Sequence, residues 1–174
     1  LCLLYRFAIW DVMTMKINSN PEKGFTLIEL MVVVSLIAIL ASLAAPSFST
    51  AIANQRVNSA AQELQSILLF ARSEAVYKRT DSTLTANGQT WTAKTSSQIA
   101  REAVLPSVVT VTPNGDSADG VEFNSAGIPK LISGGSGDYR LSISATNANR
   151  AQCVSVTRAG LVRQQRIAPG ASCT

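Results

Sequence analysis

One carboxylate stands inside an otherwise uncharged run: residues 25–45 read FTLIELMVVVSLIAILASLAA, and Glu29 is their only charge. An ionised side chain in an apolar helix costs about 2.5 to 3.5 kcal/mol on membrane-insertion scales and calls for a compensating cation. Two outcomes are open to it: pairing with a positive group from outside the run, or snorkelling to headgroups near the helix end. The other candidates lie in the last third of the chain. Arg158, Arg163 and Arg166 crowd the final hairpin and tail, and guanidinium groups held on a rigid scaffold bind phosphates well; the alternative is three solvated arginines. Arg163 and Arg166 are three apart, so a flat strand directs them to opposite faces.

The inventory also excludes chemistry. The sequence contains no His, which removes imidazole zinc sites, Ser-His-Asp triads and Cys-His nucleophiles. Its carboxylates are scattered, with no Gly-rich phosphate loop and no metal-spaced cluster. Asn114, Asp116 and Asp119 lack the twelve-position calcium pattern and its closing Glu, so they read as a solvated loop. The expectation is a chain that is not an enzyme and has no metal or cofactor. Fifteen Lys and Arg against eleven Asp and Glu make it mildly basic, which permits an anionic partner without demanding one.

The element that positions Glu29 is a helix: 21 residues rise about 31 Å, enough to cross a bilayer. The short polar stretch before it, MKINSNPEKG, carries Lys16 and Lys23, so the positive-inside rule keeps it cytoplasmic and sends the C-terminal domain outward. An ordinary secretory leader has its apolar stretch before a small-residue cleavage site; here Gly24 precedes the apolar stretch. Of the cysteines at 2, 153 and 173, the last two fall in the exported part, where disulfides persist. Cys153 and Cys173 are expected to bridge, which would stabilise the domain by about 3 kcal/mol through loop entropy.

The run Gly24-Phe25-Thr26-Leu27-Ile28-Glu29 resembles the prepilin signal of type IV pilins and type II secretion pseudopilins. The resemblance implies that a prepilin peptidase cuts between Gly24 and Phe25 and methylates the new amine of Phe25. It also implies that Glu29, fifth after the cut, attracts the N-terminal amine of a neighbouring subunit during assembly. Residues 1–14 do not fit a short hydrophilic leader and are expected to be an upstream extension, with Met15 or Met13 as the start.

Beyond Pro46, which can bend or loosen the helix, Phe48, Ile52, Ala60, Leu64, Leu68, Ala71 and Ala75 recur at helical spacing opposite Asn54, Gln55, Asn58, Gln62 and Glu63. That predicts an amphipathic helix to about Arg79. The expected plan is α+β and pilin-like. Residues 1–24 are leader, 25–45 a membrane or filament-core helix, 46–79 its amphipathic continuation, and 80–174 an antiparallel β-rich domain. Five to seven strands are expected. A hairpin turns at Asn87-Gly88, one strand runs near residues 103–112, Gly127 turns another pair, and QCVSVT and LVRQQRI form the last. Segments 113–120 and 133–138 are predicted to be exposed loops.

The stretch 56–79 with its Ala-Arg-Ser-Glu-Ala segment, Phe123 with Gly127, and Val154 to Val162 around Gly160 resemble the minor-pilin group that includes FimT, FimU and the pseudopilin GspH. This implies a minor pilin that helps start assembly of a type IV pilus serving motility, adhesion or DNA uptake, or a type II secretion pseudopilin of the same plan. The implied partners are other pilins, the prepilin peptidase and the inner membrane, with an inner-membrane stage before the filament. DNA is a further partner to consider, because FimT-type relatives bind it through a G-R-x-R motif. The matching positions here are Gly160, Leu161, Val162 and Arg163, so one arginine of that motif is replaced.

Overall fold

Helix α1 (Leu27–Lys78) opens on a side-chain cap. In the computed structural model of the chain, Thr26 Oγ1 accepts a hydrogen bond from the Glu29 amide at 3.2 Å. This Thr-x-x-Glu start is the sequence form of a capping box, and it satisfies one of the free donors of the first turn. The structure describes residues 24–135 and 137–173. The expected leader, with Cys2, Lys16, Lys23 and the candidate start residues Met13 and Met15, lies outside the described residues. The chain divides into two compact units, Leu1–Ala41 and Ser42–Thr174.

In the first unit, the described part is an uninterrupted apolar helix. The window Leu27–Ala44 is long and apolar enough to cross a membrane, and none of it is buried by the chain. A core helix of similar composition would be covered by its own fold. The hydroxyl of Ser35 donates to the Met31 carbonyl at 2.7 Å, so this polar group is satisfied within the helix, as a lipid environment requires.

In the second unit, residues 42–78 of α1 bury Ala53, Val57, Ala60, Ala61, Leu64, Ile67, Leu68, Ala71 and Ala75, a stripe with intervals of three and four. Phe48 and Ile52 are exposed, so the expected stripe is corrected at its start: the covered face begins at Ala53. The helix ends at Lys78, with Arg79 in the left-handed region and the Thr80 amide bonded to the Ala75 carbonyl. This backbone closure is the Schellman type, and it uses the carbonyls the last turn leaves free.

Nine strands follow among the described residues, more than the five to seven expected. One sheet has the order β3-β2-β1-β5-β6, the other β4-β7-β8-β9. Their ranges are β1 (Ser82–Asn87), β2 (Thr90–Thr95), β3 (Gln98–Val104), β4 (Val109–Pro113), β5 (Val121–Phe123), β6 (Pro129–Leu131), β7 (Tyr139–Ala145), β8 (Ala151–Val156) and β9 (Val162–Ile167). Every pairing is antiparallel. Leu84, Val121, Phe123, Leu141, Ile143, Val154 and their neighbours close one core over the helical stripe.

Three local expectations are corrected. The segment 103–112 is not one strand: Pro106, which lacks an amide donor and restricts the residue before it, separates β3 from β4, and the two belong to different sheets. The first hairpin turns one residue later than expected. Asn87 pairs with Thr90, leaving Gly88 and Gln89 as the loop, and only Gly88 has positive φ, the pattern of a type II′ turn. The segment 113–120 is not wholly exposed. It holds a 3-10 turn (Gly115–Ser117) whose Ser117 is buried and whose hydroxyl accepts from the Arg140 amide at 2.9 Å.

The β2–β3 hairpin is closed by two serines, Ser96 at φ 51° and Ser97 at φ 66°, where a type I′ loop favours Asn-Gly. Ser97→Gly is expected to stabilise the second unit by about 1 kcal/mol by relieving that left-handed residue. A thermal melt should show a midpoint rise of roughly 3 °C.

Candidate functional site

The peptide bond between Gly24 and Phe25 lies in non-helical backbone just before α1, and both residues are exposed. A Cβ placed on Gly24 would meet no described atom within 4 Å. Glu29 sits in the first turn of α1 and is exposed. Its amide is held by Thr26 Oγ1, and its carboxylate has no ion-pair partner among the described residues. Negative charge is favoured at a helix N-terminus, but a carboxylate surrounded by Leu, Ile and Met also needs a discrete cation once water is excluded. The second unit is not needed to form this arrangement.

The C-terminal residues separate into two places. Cys153 on β8 and Cys173 are joined in a disulfide, with Cα atoms 5.4 Å apart and both residues buried. It fastens the segment after β9 back onto its own sheet. Arg158, in the turn before β9, lines a cavity of about 800 Å³ together with Asp116, Asp138 and Arg140. The Arg158 amide donates to Asp138 Oδ1 at 3.2 Å, and Arg140 pairs with Asp138 at 3.1 Å. Arg163 and Arg166 lie on β9, opposite Ser155 and Gln152, and line a different cleft that contains no carboxylate. The three arginines of the sequence reading are therefore not one patch: the structure groups Arg163 with Arg166 and leaves Arg158 in a mixed-charge cavity. Leu161 is 49% exposed where the first arginine of a G-R-x-R motif would stand. Nearby on β7, burial pushes the Tyr139 hydroxyl well above its ordinary pKa, so it stays neutral in the core.

With this geometry in view, comparison with known proteins gives a consistent result. A family model described as the prokaryotic N-terminal methylation motif matches residues 19–45. A second, for the type II transport protein GspH, matches residues 60–160, more than half of the chain. The chain belongs to the GspH family. The minor pilin FimU of Pseudomonas aeruginosa superposes with a TM-score of 0.53 at 23% identity, covering 69% of this chain and 96% of that one. The minor pseudopilin EpsH of the Vibrio cholerae type 2 secretion system gives 0.50 at 17% identity, covering 67% and 99%. At these identities the likeness is one of fold. A fimbrial protein of Moraxella nonliquefaciens is 51% identical over 41 residues, 24% of this chain and 27% of that protein. The chain thus spans only about a quarter of that curated relative. The chain is thus a GspH-family protein that carries an N-terminal methylation motif and shares the fold of a minor pilin and a minor pseudopilin.

The GspH-type assignment gives meaning to a junction that sequence reasoning missed. Arg72, from the Ala-Arg-Ser-Glu-Ala segment of α1, donates from Nε to the Gly127 carbonyl at 3.0 Å. Gly160 lies against both: a Cβ there would stand 2.5 Å from the Gly127 carbonyl oxygen and 2.9 Å from Arg72 Nε. The three family-like segments of the domain therefore meet at one point, where the β5–β6 turn and the β8–β9 turn, one from each sheet, are tied to the helix. Each segment was visible in the sequence, but their meeting depends on tertiary packing.

Proposed function

We propose that this GspH-family chain is a minor pilin that is cut between Gly24 and Phe25, methylated at Phe25, and inserted into a type IV pilus, where it helps start assembly. The observation that carries the reading is the pairing of an apolar window, Leu27–Ala44, that the chain does not bury with a carboxylate, Glu29, that has no ion-pair partner among the described residues and stands fifth after an exposed Gly-Phe bond. A helix that its own chain does not cover needs lipid first and neighbouring helices later. In an apolar surround this carboxylate is suited to the amine that cleavage of another copy or another pilin creates. On this reading the chain is single-pass, with its N-terminus cytoplasmic and its domain outward, and the prepilin peptidase and inner membrane are its first partners. Membership of a pilus, in preference to a type II secretion filament, draws on the fimbrial proteins that match its N-terminal segment.

DNA capture by the filament is a second reading. It draws on Arg163 and Arg166, but with Leu161 in the motif and Arg158 in a separate cavity it has two cations in place of a continuous arginine track.

Blocking the cut tests the main reading. Gly24→Ala is expected to leave the uncut chain in the membrane fraction and to remove it from sheared surface filaments, as read by immunoblot of both fractions. Normal amounts of the variant in sheared pili would contradict it. Retention of the wild-type chain in a periplasmic secretion filament would reassign it to the pseudopilins.

A further inference from the structure

We propose that a basic cleft between α1 and the β9 edge binds the phosphate headgroups of anionic phospholipid while the chain is anchored in the membrane. The inference rests on the membrane-anchored reading of α1. Arg150, just before β8, and Arg166 on β9 line a cleft of about 440 Å³ whose other wall is Ala51, Asn54 and Asn58 of the helix. A neighbouring cleft of about 690 Å³ shares Asn58, Gln152 and Arg166 with it and adds Arg163. No carboxylate lines either one among the described residues. Arg101 and Arg140 are each paired with an acid and Arg72 with a carbonyl, whereas the guanidinium groups of Arg150, Arg163 and Arg166 have no such partner among the described residues.

The cleft is built before any ligand arrives. Asn54 Nδ2 donates to Asn149 Oδ1 at 2.8 Å while the Asn149 amide donates back to Asn54 Oδ1 at 3.2 Å. Gln164 Nε2 donates to Asn58 Oδ1 at 3.2 Å. These bonds tie the helix to the loop before β8 and to β9, so the positions of Arg150 and Arg166 are set by the fold. Guanidinium groups on such a frame suit phosphate oxygens, which accept two parallel hydrogen bonds.

Position along the chain selects lipid over other phosphates. Ala51 is seven residues past Ala44, the end of the membrane-competent window, and seven helical residues rise only about 10 Å. The headgroup layer adds roughly 5 to 8 Å to each side of the hydrocarbon, and surface charge is felt over a Debye length of about 10 Å at 0.1 M salt. Arg150 follows Asn149, which is bonded to Asn54, so this end of the cleft falls within reach of the headgroups by the tether alone. Arg163 is three residues further along β9, about 10 Å away. The expected order of engagement is Arg150 and Arg166 first, Arg163 weaker, and Arg158 untouched. A DNA track would instead join Arg158, Arg163 and Arg166 and omit Arg150.

The processed full chain, reconstituted into vesicles of phosphatidylglycerol or phosphatidylcholine, tests this with a guanidinium-specific reagent and peptide mass spectrometry. Modification of Arg150 and Arg166 should be about fivefold slower in phosphatidylglycerol, with Arg158 unchanged, and the difference should vanish at about 0.5 M salt. Arg150→Gln with Arg166→Gln should abolish the lipid dependence left at Arg163. Equal rates in the two lipids would overturn the proposal. So would equal protection in phosphatidylcholine by inorganic phosphate, or protection of Arg158 and Arg163 but not Arg150 by duplex DNA, which would assign the arginines to nucleic acid. Flotation of the vesicles reports separately on the anchor: a chain that does not float removes the anchored reading and this proposal together, whereas one that floats with equal rates removes only the cleft.

Discussion

Glu29→Ala is expected to abolish entry into the filament while leaving the chain cut, stable and anchored. The apolar helix around it needs no carboxylate to insert, and removing the charge makes insertion easier. What disappears is the one charged group in the run that can attract a subunit's new amine. Sheared filaments should contain at least about tenfold less of the variant than of the wild type, with the membrane fraction correspondingly enriched. Glu29→Gln separates the proposed charge role of this residue from its part in the helix cap. The helix-capping bond runs from the Glu29 amide to Thr26 Oγ1 and survives the change, whereas the charge does not. Loss of incorporation by Gln as well as Ala assigns the effect to charge; normal incorporation of Gln would leave only a capping role and contradict the pairing.

Gly160→Ala is expected to destabilise the domain strongly. Gly160 has φ of 79°, and the added methyl would press on the Gly127 carbonyl oxygen and on Arg72 Nε. The left-handed backbone costs a residue with Cβ about 1 to 2 kcal/mol, and overpacking adds about 1 to 3. Because the clash is partly with backbone, relief requires moving a turn, which strains the Arg72 hydrogen bond as well. A total near 3 kcal/mol should lower the thermal midpoint by roughly 10 °C. Gly137→Ala, where an added Cβ meets nothing within 4 Å, is the control and should stay within about 0.5 kcal/mol. Equal midpoints for the two variants would remove the junction from the account of stability.

Legibility in the sequence followed the range of the signal. The apolar run and Glu29 are contiguous, so composition carried them without tertiary information, and the Gly24–Phe25 bond came from the resemblance of the same stretch to the prepilin signal. The helix was readable to within a residue at its end, but Phe48 and Ile52 fit the same periodicity as the covered stripe and are exposed. Spacing says which residues share a face, not where cover begins. The β5–β6 pair around Gly127 was expected; the sheets were undercounted because Ser96-Ser97 makes a positive-φ loop without the Asn or Gly that marks one, which hid β3. Pro106 was a readable break in the segment 103–112, but the assignment of its two halves to different sheets depends on long-range pairing. Arg158 and Arg163 are close in sequence and lie in separate clefts because the β8–β9 turn and its strand present different surfaces. The Arg72 junction joins residues 55 and more positions apart, beyond any local pattern.

The central claim is that the chain works as a processed subunit whose mature N-terminus is Phe25. It is tested most directly by the mass of the N-terminal peptide from protein recovered in sheared filaments. The account predicts a single species beginning at Phe25 and carrying one methyl group on its amine. A filament-borne chain that keeps residues upstream of Gly24, or begins at any other residue, would contradict it.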